Sequence, residues 1–369
     1  MNDLLGPVAV GALARVLGEA GPGVDWVRLE GLAGKLDELT LRGRADLIAD
    51  ALVADLRGSV GAPRAQYGAA ADVIRRGLDG PRLTGWMVWP VGEAAVSLAL
   101  EDAGEDGFDD CLALLAELTP RLTSEFAIRR LLRRDLDRSL SAIADWTTHP
   151  DEHVRRLASE GTRSYLPWAV RVPELLTRPE ATLPLLDALR ADPSEYVRRS
   201  VANHLNDLAR HAPELVVATA SRWMADPDAN TAWVVRHGLR TLVKKAHPGA
   251  LAVMGFPPAR VAVGPLELGS ATLVLPDELD FACSVTNEAG EPARLVVDFV
   301  VHYVKASGAR SAKVFKLTTL LLGPGESVRL RKRHAFRQMT TRVHYAGTHA
   351  VELQVNGVRH GLVEFDVSV

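Results

Sequence analysis

His149-Pro150-Asp151-Glu152-His153-Val154-Arg155-Arg156 is answered, 43 residues later, by Asp192-Pro193-Ser194-Glu195-Tyr196-Val197-Arg198-Arg199. A weaker third copy, Trp233-Val234-Val235-Arg236-His237, follows. The first two copies open on His or an acid and then a proline, which suit the first turn of a helix. Helix pairs recurring at about 40 residues stack into a HEAT-like α–α superhelix with a concave face. The repeat therefore predicts a helical solenoid, and the polar residues on the repeated helix predict what its concave face holds.

At helical spacing, Val154, Leu157, Ala158 and Gly161 share one face, and Arg156, Glu160 and Arg163 share another. The same offsets give Arg199, Asn203 and Asn206 in the second copy, with Asp207 and Arg210 continuing the helix. In the third copy they give His237, Thr241, Lys244 and Lys245. Adjacent repeats are expected to present a basic and amide stripe containing Glu160 and Asp207, with Arg156 and Asn203 beside them on the concave side. Taken singly, each residue also reads as part of a solvated, salt-bridged face; repetition in register favours a shared surface.

Residues 1–255 read as helical almost throughout. Apolar residues recur at three and four over 45–56, 108–118, 124–136, 137–146 and 151–163. The texture changes around Phe256-Pro257-Pro258, and strand-like runs follow at 271–275, 281–286, 294–305, 312–319, 327–333, 349–355 and 363–369. Turn signals such as Asn287-Glu288-Ala289-Gly290, Gly323-Pro324-Gly325 and Asn356-Gly357 separate them. About seven short strands in this span is the pattern of an immunoglobulin-like sandwich. The expected architecture is multidomain: an all-α HEAT-like superhelix over 1–255 and an all-β sandwich over 256–369.

The formal net charge of −3 hides a segregation. Residues 1–120 carry 10 Lys/Arg against 19 Asp/Glu, residues 121–255 carry 20 against 16, and residues 256–369 carry 13 against 11. A basic middle and end behind an acidic front fits a polyanion-binding face on part of the molecule, though charged, arginine-rich helices show the same imbalance without one. Cys111 and Cys283 lie far apart, so no disulfide framework is indicated. The apolar start lacks a basic leader region, and no apolar stretch is long enough to span a bilayer, so a soluble cytoplasmic protein is expected.

The chemistry that can be encoded narrows quickly. No glycine-rich run joins a strand to a helix as a phosphate cradle would. His149 and His153 are spaced as zinc ligands can be, but no Cys or third His follows at ligand spacing, so neither a metal nor a cofactor is expected. What remains is three carboxylates and their neighbours. Glu125 reads also as a helix-start acid complementing the dipole. Glu160 reads also as a partner of Arg156 or Arg163, and the small residues flanking it suggest room for a ligand. Asp207 lies one turn past the repeat equivalent of Glu160. Trp168, after Pro167, reads also as a packing residue between repeats.

The segments Phe126-Ala127-Ile128-Arg129, His153–Arg163, Pro167-Trp168 and Val197–Asp207 resemble the AlkC class of DNA alkylation-repair glycosylases, relatives of AlkD. The resemblance covers the whole helical part, and members of that class with a C-terminal immunoglobulin-like domain match the change at Phe256. It implies that Glu125, Glu160 and Asp207 are the active-site acids, with Arg156 and Trp168 beside the lesion. It further implies excision of cationic N-alkylated bases, such as 3-methyladenine or 3-methylcytosine, from duplex DNA. Carboxylates near the sugar would assist hydrolysis of the N-glycosidic bond, without a deep base pocket or an aromatic cage. Arg163, Arg199, Asn203, Lys244 and Lys245 are the expected DNA contacts of the helical part. Arg329, Arg331 and Arg333, alternating along one strand, are those of the β part. A monomer is expected. The rival reading is a non-catalytic HEAT-repeat scaffold or DNA-binding protein, in which the three acids are replaceable salt-bridge partners.

Overall fold

The computed structural model describes residues 2–32, 34–59, 66–102, 105–338 and 343–368. Helices run from Pro7–Ala20 to Pro248–Val253, and strands from Val261–Val263 to Val358–Ser368. The chain is a HEAT-like helical repeat followed by an immunoglobulin-like sandwich. It forms two compact units, one of residues up to Leu215 with Pro227–Gly238, the other of Val216–Asp226 with Leu239 onward.

In the first unit the 43-residue register is written in hydrogen bonds. The repeated helices are Glu152–Glu160 and Glu195–Leu208, with equivalent N-caps at Asp151 and Ser194 in nearly identical extended geometry (ψ 125° and 123°). Arg155 Nη1 donates to the carbonyls of His149 and Pro150, both at 2.9 Å. Its equivalent, Arg198, donates to those of Asp192 (2.6 Å) and Pro193 (2.9 Å). The motif is thus a helix start pinned by an arginine one turn in. The prolines precede the caps instead of entering the first turn, because Asp151 takes the cap by accepting from the His153 amide at 2.7 Å. His149, just before the proline, accepts from the Asp151 amide through Nδ1 at 3.0 Å.

Successive copies are bolted together by buried polar groups. Ser200 Oγ lies 3.0 Å from Ser159 Oγ, and His204 bridges the Ser159 carbonyl (3.0 Å) and Thr182 Oγ1 (3.2 Å). Arg155 reaches across to Asp192 at 2.7 Å. The third copy forms the helix Thr231–Gly238, packed so closely that a Cβ on Gly238 would lie 2.7 Å from Leu205 Cδ2. This helix then breaks, and a separate short helix, Arg240–Lys244, follows in the second unit. Two other expected helices are shorter than their apolar pattern. Residues 124–136 form only Ile128–Arg134, because Asp135 turns extended and caps Leu136–Trp146 through the Arg138 amide (3.1 Å). Residues 151–163 are helical only to Glu160.

The second unit contains nine strands among the described residues: β1 Val261–Val263, β2 Glu267–Leu268, β3 Thr272–Val274, β4 Asp277–Asn287, β5 Ala293–Val304, β6 Arg310–Leu322, β7 Ser327–Phe336, β8 Gly347–Val355 and β9 Val358–Ser368. One sheet has β4 flanked by β1, β2 and β7; the other runs β3-β9-β8-β5-β6. Leu279, Phe281, Cys283 and Val285 alternate inward from β4 to meet Leu295, Val297, Phe299 and Val301 of β5, with Phe336 and Phe365. The strands β1 and β2, unread in the sequence, are too short to show a period. The expected strand 363–369 starts earlier, at Val358, because Asn356 and Gly357 take positive φ (43° and 87°) and make a tight hairpin. Gly357 also sits against the helical residues of this unit, where a Cβ would lie 2.7 Å from the Ala246 carbonyl oxygen.

Candidate active site

Three helix ends and one loop of the first unit converge on the site. Glu125 precedes Ile128–Arg134, Glu160 ends its helix, Asp207 lies in the last turn of Glu195–Leu208, and Trp168 stands on the connecting loop. The three acids join one chain of ion pairs. Arg156 bridges Glu125 (2.6 Å) and Glu160 (3.4 Å), and Arg163 bridges Glu160 (2.6 Å) and Asp207 (2.9 Å). The plain reading of Glu160 as an i,i+3 and i,i+4 partner is therefore realised twice, but inside the protein: Glu125, Glu160 and Asp207 are 9%, 5% and 4% exposed. Buried ion pairs of this kind cost desolvation and persist where position matters more than stability.

Further donors fix the carboxylate oxygens. Ser200 Oγ donates to Glu160 Oε2 at 2.6 Å, and Thr123 Oγ1 donates to Glu125 Oε2 at 3.0 Å. Three carboxylates pair with two guanidiniums, and the buried guanidinium of Arg129 interacts with Asp207 and Glu125 as well, so acids and arginines balance at the site. Burial pushes the Glu125 carboxyl above the usual range; Arg156 opposes this and the neighbouring Glu160 adds to it. Burial also works against the charges of Arg156 and Arg163, but the carboxylates outweigh it and hold both above the ordinary arginine value. The result is a set of carboxylates whose positions are fixed before a positive charge arrives.

Glu125, Glu160, Arg156 and Arg163 of the network, though not Asp207, line a cleft of about 430 Å³ together with Trp86, Phe126, Trp168 and Tyr196. This is more aromatic than the sequence suggested. Trp168 is 62% exposed and takes φ 62°, so it is not a packing residue between repeats. A left-handed backbone costs a non-glycine residue roughly 1–3 kcal/mol and persists only where the surrounding loop imposes it. Gly161, read as leaving room for a ligand, instead lets the helix end pack closely: its Cβ position lies 3.0 Å from both Ile128 Cγ2 and the Leu157 carbonyl oxygen. Arg129, fully buried, donates to the carbonyls of Gly161 (3.0 Å), Arg163 (2.6 Å) and Val170 (2.7 Å), tying the Glu160 helix end to the Trp168 loop. Burial, with Arg171 and Arg163 nearby, pushes its guanidinium down to about 10.

Other expected contacts have partners outside the acid network. Arg199 is exposed and pairs with Glu195 (2.5 Å), and Asn203 meets His237 Nε2 (3.1 Å). Lys244 and Lys245 belong to the second unit, exposed at the end of the short helix. Arg329, Arg331 and Arg333 do share one exposed face of β7. They lie beside carboxylates there: Arg329 pairs with Glu267 (2.5 Å), and Arg331 and Arg333 share Asp280. Sequence reading missed Thr123, Ser200, Tyr196, Trp86 and Arg129. Of these, only Tyr196 and Ser200, inside the repeated helix, carried a positional signal. Among the described residues there is no cluster of His, Cys, Asp and Glu suited to a metal ion, and no helix is long and apolar enough to cross a membrane. Cys111 and Cys283 are free and buried.

A helical repeat with a buried acid–arginine network, joined to an immunoglobulin-like sandwich, defines a two-part architecture that recurs in known proteins. Residues 262–369 match the family described as Uncharacterised protein YhaZ, C-terminal Ig-like domain. Over 269 residues the chain is 34% identical to the uncharacterised protein YhaZ of Bacillus subtilis (strain 168), covering 73% of this chain and 74% of the relative. Among solved structures it is similar to Pseudomonas fluorescens AlkC, an alkylpurine DNA glycosylase bound to DNA containing an abasic site analog. That match has 34% identity and a TM-score of 0.71, over 100% of this chain and 99% of the other. The chain belongs to the family that AlkC and YhaZ represent.

Proposed function

We propose that the protein is a DNA glycosylase that releases N-alkylated bases from duplex DNA, and that Glu125, Glu160 and Asp207 supply the chemistry. The observation that carries this is the buried chain of three carboxylates on two arginines, of which Glu125 and Glu160 line an aromatic cleft. The full-length likeness to AlkC supports it. A base alkylated at a ring nitrogen, such as 3-methyladenine or 3-methylcytosine, is already cationic, so its departure needs little general acid. What the reaction needs is negative charge beside the sugar, where oxocarbenium character grows, and a positioned water. Carboxylates held by Ser200, Thr123 and two arginines supply that negative charge, with an oxygen on which a water can be oriented.

On this reading Trp168, Trp86 and Tyr196 pack against the lesion nucleotide, and Arg156 and Arg163 set the carboxylates. The cleft is open, which favours attack on a bent duplex over burial of the base in a deep pocket. No cofactor enters the scheme, and the protein acts as a cytoplasmic monomer. The test is incubation of purified protein with duplex DNA carrying 3-methyladenine or 3-methylcytosine, followed by chromatography of released bases. Catalytic release is expected. Tight binding with no release of either base would leave a DNA-binding helical repeat.

A further inference from the structure

Beyond the acid network, Tyr165 carries two arginines. The guanidinium carbon of Arg171 lies 4.9 Å from the centre of its ring and that of Arg210 lies 4.6 Å away. Both arginines are exposed, and among the described residues neither is paired with a carboxylate, unlike Arg155, Arg156, Arg163, Arg178 and Arg199 of the same unit. His211 completes the group edge-on at 5.7 Å, and burial pushes its imidazole below the usual value, keeping it neutral. Two exposed guanidiniums gathered on one ring with no carboxylate partner leave their positive charge for an anion to meet.

The group's position is specific. Arg171 follows Trp168 by three residues, Arg210 follows Asp207 by three, and Tyr165 begins the turn whose next three residues line the cleft. Arg171 also donates to the Ser164 carbonyl at 3.3 Å, which holds its guanidinium at the ring. A planar fork laid on an aromatic face keeps its outer N–H groups free and oriented, the arrangement that suits bidentate recognition of phosphate oxygens.

We propose that Arg171 and Arg210, set by Tyr165, form a phosphodiester site that grips the DNA backbone beside the nucleotide in the cleft. The inference rests on the glycosylase reading for its ligand, and its test does not depend on excision. The probe is full-length protein with duplex DNA bearing an abasic-site analogue, titrated over a salt series. An Arg171→Gln/Arg210→Gln variant is expected to flatten the log–log salt slope by about 1.8, or about 0.9 for each phosphate no longer neutralised. A charge-matched Arg133→Gln/Arg134→Gln variant is expected to leave it unchanged. Neutral methylphosphonates placed singly along both strands should weaken wild-type binding most at one or two positions flanking the analogue, and the Arg171/Arg210 variant should no longer sense those positions. Tyr165→Leu, which keeps both charges, should lose the same positional signature, and Tyr165→Phe should restore it. An unchanged slope, equal flattening by the control variant, or a signature that survives Tyr165→Leu overturns the site. Excision with an unchanged slope sinks this inference alone; arginine-dependent binding without excision sinks the glycosylase reading alone. Failure of the wild type to bind duplex DNA sinks both.

Discussion

Glu160 is the most constrained carboxylate of the site, held by Arg156, Arg163 and Ser200 at once. Its Oε1 faces both arginines and its Oε2 accepts from Ser200; Gln keeps the shape and one acceptor for the arginines while its amide turns donor towards Ser200 Oγ, so the isosteric change chiefly removes the charge. Glu160→Gln and Glu125→Gln are each expected to lower single-turnover excision by about two to four orders of magnitude. DNA affinity should hold or rise, because a negative charge near phosphates is removed. Full release by both variants would demote the acids to structural partners. Glu125 adds a pH signature. Its carboxyl is raised by burial, so as pH falls it takes up a proton above the ordinary value of 4.5. If the anion is the working form, excision should decline on the acid side with a midpoint above 4.5; a midpoint at or below it would remove Glu125 from that role.

At the scale of helices, the same repeat offset yields arginines of different worth. Arg163 links the Glu152–Glu160 helix end to Asp207 of the next copy from a buried position, whereas Arg199 pairs with Glu195 in solvent. Removing one partner of a buried pair strands a charge, so Arg163→Met is expected to cost about 3–5 kcal/mol in urea unfolding. Arg199→Met should cost under about 1 kcal/mol. Equal costs would mean that the network is solvated in solution. His204, clamped between Ser159 and Thr182, gives the same helices an acid weakness. Burial, with Arg163 nearby, pushes its imidazole down to about 3, against 6.5 when unfolded. Below pH 6.5 the unfolded chain binds a proton that the folded one refuses, so stability falls as pH drops from about 6.5 towards 3. The slope attributable to this group is about 1.4 kcal/mol per pH unit in the middle of that window. His204→Gln should remove that slope relative to wild type; an unchanged slope would show that the imidazole titrates normally.

For the molecule as a whole, the β unit's role rests on Arg329, Arg331 and Arg333. Their common face suits phosphate binding, but Glu267 and Asp280 already lie against it. Replacing all three by alanine is expected to flatten the salt dependence of DNA binding by about 0.9 for each phosphate these arginines neutralise, without touching the chemistry. An identical slope would show that the face merely keeps an exposed sheet soluble.

The 43-residue echo, the change of texture at Phe256 and the alternation along β7 were legible in the sequence because each is periodic, and periodicity is how a chain records which side is buried. The acids were legible only through motif resemblance; taken singly, Glu160 read as a helix salt bridge, and geometrically it is one. What sets those pairs apart from surface pairs is burial, which depends on residues far along the chain: Ser200 reaching Glu160 and Arg129 tying Gly161 to the Trp168 loop. Trp86 and Tyr196 joined the cleft, and Arg171 and Arg210 met on Tyr165, by the same route. The division into compact units was hidden too, since Gly357 packs on helical residues that share no pattern with a strand. Local pattern sets which face of an element turns inward. Which charges then lose their water, and so gain the strength to do chemistry, is decided only when distant elements close over them.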